Sequence, residues 1–137
     1  MPLIHLDTNV MIAFADKFHE LHESAQTLVE EWIENGDEIA TSAIAWSEFR
    51  RGADANHRSI LEVVAVEFIL NAGILPFDQE QATKAAELFN FSKREENRPN
   101  DCMIAACALC ANAELATNNI THFQRFEELG LKLRKFN

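Results

Sequence analysis

The sequence predicts an α/β fold, a three-layer α/β/α sandwich around a mostly parallel central sheet of four to five strands. Short apolar runs typical of buried strands alternate with longer segments whose apolar residues recur at helical spacing. Strands separated by helices are typical of βα units, in which helices cover both faces of a parallel sheet. The 137 residues are 47% hydrophobic and 25% charged, without repeat or linker, so we expect a single domain over 1–137.

Two strands and four helices are predicted in the first half of the chain. They are a strand over 3–6, helices over 8–17 and 19–36, a strand over 38–42, and helices over 43–53 and 57–71. The two strands are the short apolar runs LIHL and EIATS. The helix over 19–36 has an apolar face that includes Leu21 and Trp32, with its glutamates mostly off that face, and the NGD sequence ends it.

Three strands and two long helices are predicted in the second half. They are a strand over 73–77, a helix over 78–97, a helix from Asn100 or Asp101 to about 112, a strand over 114–117, a turn or short helix from 118, and a strand over 131–136. Asp78 and Gln81 form a capping-box pattern at the start of the first of these helices. Pro99 marks a break, after which Asn100 or Asp101 is expected to cap the next helix.

The net charge of −10 is concentrated at the start of the chain. Residues 1–40 contain nine acidic residues and one basic residue, whereas residues 41–137 contain thirteen acidic and eleven basic residues. This balance disfavours non-specific binding to nucleic acid. It favours binding of divalent cations or of a basic partner, or it serves solubility alone.

The sequence contains no targeting or membrane signal. No apolar run approaches the about 20 residues of a membrane helix. The N-terminus lacks the basic region and long apolar stretch of a signal peptide. We therefore expect a cytoplasmic protein with no membrane partner.

Three cysteines, Cys102, Cys107 and Cys110, fall in one apolar stretch. Their odd number and close spacing argue against a disulfide framework. Cys107 and Cys110 have the CxxC spacing of zinc ligands, but no second ligand pair lies nearby. We expect all three to be small core residues.

Polar residues flank the predicted strands at positions that can share one edge of the sheet. Asp7 comes directly after the first strand, and Asn119 follows the strand ELAT. Glu48 lies in the helix after the second strand, and Asp101 opens the helix that leads into ELAT. Sites in open α/β sheets form at the carboxyl ends of strands, near a switch in strand order. These four side chains are therefore expected to converge there.

Each acidic residue also has an ordinary structural interpretation. Asp7 and Asp101 can each cap a helix N-terminus. Glu48 can form an ion pair with Arg50 or Arg51 on its own helix. The functional interpretation therefore depends on all three acidic residues meeting in one place.

Four segments of the sequence resemble the motifs of PIN-domain ribonucleases, and in particular the VapC toxins of type II toxin–antitoxin pairs. The segments are LDTNV at 6–10, SEF at 47–49, NDCMIAACA at 100–108 and TNNITHF at 117–123. They occur in the family's order and spacing and span almost the whole chain. The resemblance implies a PIN-like fold and the activity of a metal-dependent endoribonuclease.

The resemblance also implies roles for individual residues. The residues on catalytic positions are Asp7, Glu48, Asp101 and Asn119. The three carboxylates among them are the implied ligands of Mg²⁺ or Mn²⁺, whereas Asn119 stands where the family often has Asp and carries no charge. Asn9 and Thr117 match polar positions that support the acidic residues.

These residue types suit cleavage of a phosphodiester bond. The reaction needs an activated water and neutralised charge on the phosphate, and a divalent ion held by carboxylates supplies both. Crowded carboxylates repel one another, which favours a bound cation or a raised pKa. No histidine need act as a base, so the histidines are expected to be bystanders, with His122 the one that could approach substrate.

An acidic nuclease still has to hold RNA and its inhibitor. Arg98 and Arg51 are expected to contact phosphates, although they could equally belong to a solvated charged surface. Lys93, Arg94 and Arg50 are further basic neighbours of the site, and Trp46 and Phe49 are expected in the core. The resemblance implies a VapB-type antitoxin, a homodimer and a hetero-oligomer with the antitoxin. We expect residues 19–36 and 57–72 to line the antitoxin groove or the dimer contact.

Two other function classes stay open. A phosphatase of the haloacid dehalogenase type would use Asp7 as a nucleophile, but it would need a second Asp where this chain has Asn9. A non-catalytic PIN-like binding module would fit the loss of charge at Asn119. Within the ribonuclease interpretation, transfer, ribosomal and messenger RNA are all candidate substrates.

Overall fold

The computed structural model describes residues 2–55, 60–92 and 98–136. Its strands are β1 (Leu3–Leu6), β2 (Glu38–Ser42), β3 (Gly73–Leu75), β4 (Glu114–Thr117) and β5 (Lys132–Lys135). Its helices are α1 (Thr8–Ala15), α2 (His22–Glu34), α3 (Ala43–Ala55), α4 (Ile60–Ile69), α5 (Gln79–Phe91), α6 (Pro99–Cys110), α7 (Ile120–Phe123) and a 3₁₀ helix over Gln124–Leu129.

The sheet has the strand order β3-β2-β1-β4-β5, and every neighbouring pair of strands is parallel. The prediction of a mostly parallel sheet of four to five strands is therefore confirmed. β1 lies in the centre, with β2 and β4 on either side, so the strand order switches direction between β1 and β4. Asp7 lies at this switch, where its N–H donates to the main-chain oxygen of Ala116 at 2.9 Å.

The helices bury apolar side chains against the sheet. α1 packs against α2, α3 and α4, and α5 packs against α6. The largest fully buried side chains are aromatic, Phe49, Phe123, Phe126 and Phe136, each at most 1% exposed. Burying a phenylalanine in this way contributes about 1.5–3 kcal/mol. Phe49 therefore holds α3 onto the core, and the other three hold the last helices and β5.

One polar side chain lies in the middle of this core. His5 is fully buried in β1, and neither ring nitrogen has a hydrogen-bond partner among the described residues. Burial lowers the pKa of His5 to about 4, because the charged imidazolium would have no solvation there. His5 is therefore neutral at physiological pH, as expected of a packed residue.

Side-chain hydrogen bonds shorten the first two helices relative to the prediction. α1 ends at Ala15 and not near 17, and α2 begins at His22 and not at 19. In the turn between them, Asp16 Oδ1 accepts from the N–H of Phe18, and His19 Nδ1 accepts from the N–H of Leu21, both at 3.0 Å. Such local bonds compete with continued helix.

Other predicted boundaries are adjusted by a few residues. β3 ends at Leu75 and not at 77, because Pro76 has no N–H for the strand ladder. α3 continues past its glycine to Ala55. The capping box of Asp78 and Gln81 is present at the start of α5. Residues 93–97 and 57–59, at the end and the start of two predicted helices, lie outside the described residues.

The start of α6 differs from the prediction in a way that bears on function. The N-cap is Arg98, and Pro99 occupies the first helical position, so the prediction that Asn100 or Asp101 caps this helix is wrong. Proline is favoured there because its fixed φ suits the helix and the N–H it lacks would have had no partner. Asp101 consequently lies within the first turn, with its carboxylate not used as a cap.

The cysteines are free thiols. Cys102 and Cys107 are buried and Cys110 is half-buried, as the core interpretation predicts. In the part of the chain that the structure describes, no helix is long and apolar enough to span a membrane.

Candidate active site

The carboxylate of Asp7 lies almost buried at the carboxyl end of β1, with 5% of the residue exposed. Oδ2 accepts hydrogen bonds from Thr117 Oγ1 at 2.7 Å and from Asn9 Nδ2 at 3.3 Å, and Oδ1 accepts from the N–H of Thr8 at 2.8 Å. Asp7 is also the N-cap of α1, so its structural and functional interpretations coincide. These bonds fix the carboxylate at the point where β1 and β4 end.

The charge environment of Asp7 includes the two other predicted acidic residues. Burial raises the pKa of Asp7 to about 6, and the hydrogen bonds from Thr117 and Thr8 oppose that rise. The negative charges of Asp101 and Glu48 raise the same pKa further. Asp7, at the end of β1, is therefore within electrostatic reach of a carboxylate from α3 and of one from α6.

Glu48 is oriented by two neighbours from other elements. Its Oε2 accepts from Thr8 Oγ1 and its Oε1 accepts from Asn100 Nδ2, both at 3.2 Å. The guanidinium carbon of Arg50, a predicted ion-pair partner of Glu48, lies 5.9 Å from the centre of the Trp46 ring. Thr8 follows Asp7 in the chain and Asn100 precedes Asp101. Each oxygen of Glu48 therefore accepts a hydrogen bond from a residue next to one of the two aspartates.

Asp101 presents a polar atom that the described protein leaves without a hydrogen bond. Its side chain is 20% exposed, and the buried Oδ2 has no hydrogen-bond partner among the described residues. His122 Nδ1 lies 3.4 Å from this oxygen, at ion-pair distance. Burial raises the pKa of Asp101, while the nearby charges of His122, Arg98 and Arg125 lower it.

The loop after β4 connects the site to β1. The N–H of Asn118 donates to Asn9 Oδ1 at 3.2 Å, and the N–H of Asn119 donates to Thr117 Oγ1 at 2.9 Å. Thr117 and Asn9 therefore each contact both Asp7 and this loop, and their supporting role in the site stays a prediction. Asn119 lies at the exposed edge beside them, and its catalytic role stays a prediction.

The residues present suit a hard divalent cation. Among the described residues, no three His, Cys, Asp or Glu side chains are already spaced as a complete ligand set. Mg²⁺ does not require one, because it keeps several waters and takes one or two carboxylates. Such a cation would bind Asp101 Oδ2, which accepts no hydrogen bond among the described residues, and would offset the repulsion that Asp101 and Glu48 exert on Asp7.

Only some of the basic residues predicted near the site are among the residues that the structure describes. Arg98 is exposed and close enough to Asp101 to lower its pKa, and Arg51 is exposed on α3 one turn beyond Glu48. Lys93 and Arg94 lie outside the described residues. Contact of Arg98 and Arg51 with RNA stays a prediction.

The predicted core aromatics next to Glu48 are confirmed. Phe49 is fully buried, and the partly buried Trp46 packs against it with ring centres 5.6 Å apart.

Sequence reasoning missed part of the site. His122, expected to be a bystander, lies beside Asp101, and Arg125 lies behind it. Asn100 was considered only as a helix cap, yet it bonds Glu48. The THF sequence around His122 lies in a resembling motif and was a signal, whereas nothing in the sequence marks Arg125.

An apolar groove runs over the surface between α1, α2 and α4. It encloses about 610 Å³, and its lining includes the exposed apolar side chains Leu61 and Phe68, which are 74% and 87% exposed. Glu30 and Glu34 line its α2 side. The two segments expected to form a partner surface, 19–36 and 57–72, therefore meet here, with an acidic border.

The fold and the site together define a parallel α/β domain with an oxygen-rich acidic site at the carboxyl edge of its central strands. The PIN domain family model matches residues 4–129. The chain belongs to the PIN-domain family, which confirms the resemblance drawn from its four motifs.

Individual relatives are similar over most of their length. Ribonuclease VapC19 of Mycobacterium tuberculosis is 29% identical over 109 residues, 77% of this chain and 83% of that protein. Ribonuclease VapC1 of Haemophilus influenzae is 26% identical over 130 residues, 90% of this chain and 92% of that protein. The solved structure of VapBC2 from Rickettsia felis, bound to a DNA fragment from its promoter, shares the fold with a TM-score of 0.76 and 24% identity over 98% of this chain and 99% of that chain.

Proposed function

We propose that this protein is a VapC-type toxin, an endoribonuclease that depends on Mg²⁺ or Mn²⁺ and is held inactive in the cytoplasm by a VapB-type antitoxin. Its similarity to two ribonucleases of the VapC group supports this assignment. The observation that carries it is the pair of hydrogen bonds by which Thr8, next to Asp7, and Asn100, next to Asp101, both hold Glu48. The negative charges of Glu48 and Asp101 also raise the pKa of the buried Asp7.

The chain's own residues prepare this edge before a metal arrives. Thr117 and Asn9 fix Asp7, while Thr8 and Asn100 fix Glu48. A divalent ion bound by these carboxylates would lower the pKa of a bound water and neutralise charge on the scissile phosphate. Because the carboxylates are already oriented, little side-chain freedom is lost on metal binding.

The RNA backbone would approach from the exposed side of the acidic residues. We assign Arg98 and Arg51 to phosphate contacts, since both guanidinium groups are exposed and flank the site. Asn119, at the same edge, would contribute a neutral oxygen or amide to the substrate or to a metal-bound water. Its lack of charge favours a single tightly held metal ion over two.

The experiment that tests the activity is cleavage of total cellular RNA by antitoxin-free protein with Mg²⁺ or Mn²⁺. We expect discrete fragments that disappear with EDTA and with Asp7→Ala, and that persist with Asp16→Ala, a matched aspartate in the turn after α1. Sequencing the fragment ends would name the RNA. Absence of cleavage by folded wild-type protein, or cleavage that survives Asp7→Ala, would contradict the proposal.

The apolar groove between α1, α2 and α4 is the proposed binding site of the antitoxin. A segment with apolar residues would cover Leu61 and Phe68, and basic residues would pair with Glu30 and Glu34. A basic side chain at the end of that segment would then reach the carboxylates. We also expect the toxin to form a homodimer, and a hetero-oligomer with the antitoxin.

Charge-reversal substitutions test whether the acidic border of the groove binds the antitoxin, as distinct from the general negative charge of the surface. Glu30→Lys with Glu34→Lys should weaken antitoxin binding and reduce its salt dependence, because these side chains line the groove. Glu31→Lys is the matched control, since Glu31 is exposed on the same helix but is not among the described residues that line the groove. Equal binding by the wild type, the double variant and the Glu31→Lys control, measured by calorimetry, would refute the acidic border.

The two alternative functions make different predictions. A phosphatase nucleophile must reach substrate, whereas both oxygens of Asp7 accept hydrogen bonds and the residue is 5% exposed. A non-catalytic module would show no divalent-ion binding that depends on Asp101. A phosphorylated Asp7 would support the phosphatase. Metal binding unaffected by Asp101→Asn would support the non-catalytic module.

A further inference from the structure

We infer that Arg125 is a positioning residue of this site, which holds the turn bearing His122 and thereby fixes the surroundings of Asp101. The inference rests on the proposed function, because it concerns how the metal-binding carboxylates are kept in place. Arg125 lies in the 3₁₀ helix after α7, outside the four motifs of the sequence.

The guanidinium of Arg125 is held from three directions. Nε donates to Ser92 Oγ at 2.9 Å, and Nη1 donates to the main-chain oxygen of His122. The guanidinium carbon lies 4.3 Å from the centre of the Phe126 ring. Ser92 in turn donates to the main-chain oxygen of Leu88, so the side chain is tied to the end of α5. Arg125 therefore joins α5 to the α7 turn.

This link reaches the acidic cluster through His122. The main-chain oxygen of His122 is bonded to Arg125, and its ring nitrogen Nδ1 lies 3.4 Å from Asp101 Oδ2. Loss of the guanidinium would free the α7 turn and with it the imidazole.

Direct contact with RNA does not explain Arg125. Its side chain is half-buried, and Nη2 is buried without a hydrogen-bond partner among the described residues. The exposed Arg98 is placed to meet a phosphate, whereas Arg125 is held behind the acidic residues. Planar, multiply bonded arginines of this kind are not replaced equivalently by lysine.

The test compares Arg125→Met, Arg125→Lys and Arg134→Met in the full chain. Methionine keeps much of the apolar stem and removes charge and donors. Arg134 is a matched control, a half-buried arginine that pairs with Asp37 and Glu114 at the opposite edge of the sheet. Mn²⁺ affinity is measured by electron paramagnetic resonance without RNA, and cleavage of total cellular RNA is measured as a function of Mn²⁺ concentration.

We expect Arg125→Met to weaken Mn²⁺ affinity by about 10- to 100-fold, the usual effect of losing a group that supports a metal ligand. Excess Mn²⁺ should recover much of the cleavage rate, and Arg125→Lys should recover part of the affinity. Arg134→Met should lower the unfolding temperature without changing Mn²⁺ affinity. Equal Mn²⁺ affinity in wild type and Arg125→Met, or an equal loss in Arg134→Met, would overturn the inference.

Ser92→Ala provides a second route if Arg125→Met does not fold. Ser92 bonds Arg125 and the α5 backbone, so Ser92→Ala should weaken Mn²⁺ binding by a smaller factor. The two substitutions should be non-additive, because both act through one guanidinium. Unchanged affinity in Ser92→Ala beside a weakened Arg125→Met would show that the Ser92 link is dispensable and would overturn the α5 connection. Wild-type protein that binds no Mn²⁺ would instead overturn the proposed function itself, and this inference with it.

Discussion

Replacing Asp7 by asparagine should stabilise the metal-free protein while abolishing its activity. The pKa of Asp7 is raised from 3.8 to about 6, chiefly by burial. A raised folded-state pKa means that the folded protein binds the proton more tightly than the unfolded chain does. The contribution of Asp7 to stability is therefore fully present below pH 3.8 and is lost as the pH rises through about 6.

The size of this effect follows from the shift. A rise in pKa from 3.8 to about 6, at about 1.36 kcal/mol per pKa unit, means that the ionised carboxylate of Asp7 destabilises the folded protein by about 3 kcal/mol at pH 8. Asparagine removes the charge and keeps an oxygen for the N–H of Thr8, and its amide can donate to Thr117 Oγ1. It loses the bond from Asn9 Nδ2, so the expected gain is somewhat below 3 kcal/mol, of the order of 2 kcal/mol.

Urea unfolding with EDTA at pH 8 and at pH 4 measures the effect. We expect Asp7→Asn to be more stable than wild type at pH 8 and the difference to shrink towards pH 4. Asp16→Asn, which removes a charge from the turn after α1, should show no such pH-dependent gain. An Asp7→Asn protein that is less stable at both pH values would refute the assignment of a strained, charged Asp7.

Three further predictions concern other parts of the structure. The contribution of His5 to stability should fall by about 3 kcal/mol between pH 6.5 and pH 4, because the unfolded chain protonates its His5 first. Asp7 contributes with the opposite sign in the same range, so the His5 component is measured as the difference between the urea unfolding curves of wild type and His5→Leu. Equal pH dependence in the two proteins would contradict this. Arg134→Met should cost about 2 kcal/mol, since it leaves the buried Asp37 and the half-buried Glu114 without their partner. RNA cleavage at 25 °C should be unchanged, and loss of cleavage would show that this edge is not independent of the site. Asn100→Ala should lower the rate of RNA cleavage about 10-fold at unchanged thermal stability, since only one hydrogen bond to Glu48 is lost. Cleavage at the wild-type rate would show that this bond does not orient Glu48.

The sequence predicted the sheet and the position of Asp7 because both depend on local patterns. LIHL and ELAT are short apolar runs between helices, and a parallel sheet brings their carboxyl ends together whatever the exact lengths of the helices. The end of α1 and the start of α2 were less predictable, because the competing bonds of Asp16 and His19 are made by polar residues that helices also accept.

The start of α6 shows how a correct motif can carry a wrong local interpretation. The sequence offered two good capping residues, Asn100 and Asp101, and a proline that was taken as a break. The structure places Pro99 inside the helix, which turns Asn100 towards Glu48 and leaves Asp101 for the acidic cluster. The resemblance to known motifs identified Asp101, while capping preference alone would have assigned it a structural role.

Long-range contacts account for the part that the sequence did not reveal. Arg125 bonds Ser92, 33 residues earlier in the chain, and Thr117 bonds Asp7 across 110 residues. Thr117 was predicted to support the acidic residues because it lies in a motif of a known family. The pair of Arg125 and Ser92 was not predicted because neither residue lies in such a motif. A single sequence carries no periodic signal for such pairs.

The most direct test of the central claim is Mn²⁺ binding to the wild-type protein and to Asp7→Asn, Glu48→Gln and Asp101→Asn, followed by electron paramagnetic resonance. If the three carboxylates form one metal site, the wild type binds Mn²⁺ and each substitution weakens the affinity by at least about tenfold, with the fold retained. Binding that is absent from the folded wild type, or that survives all three substitutions, would contradict the account.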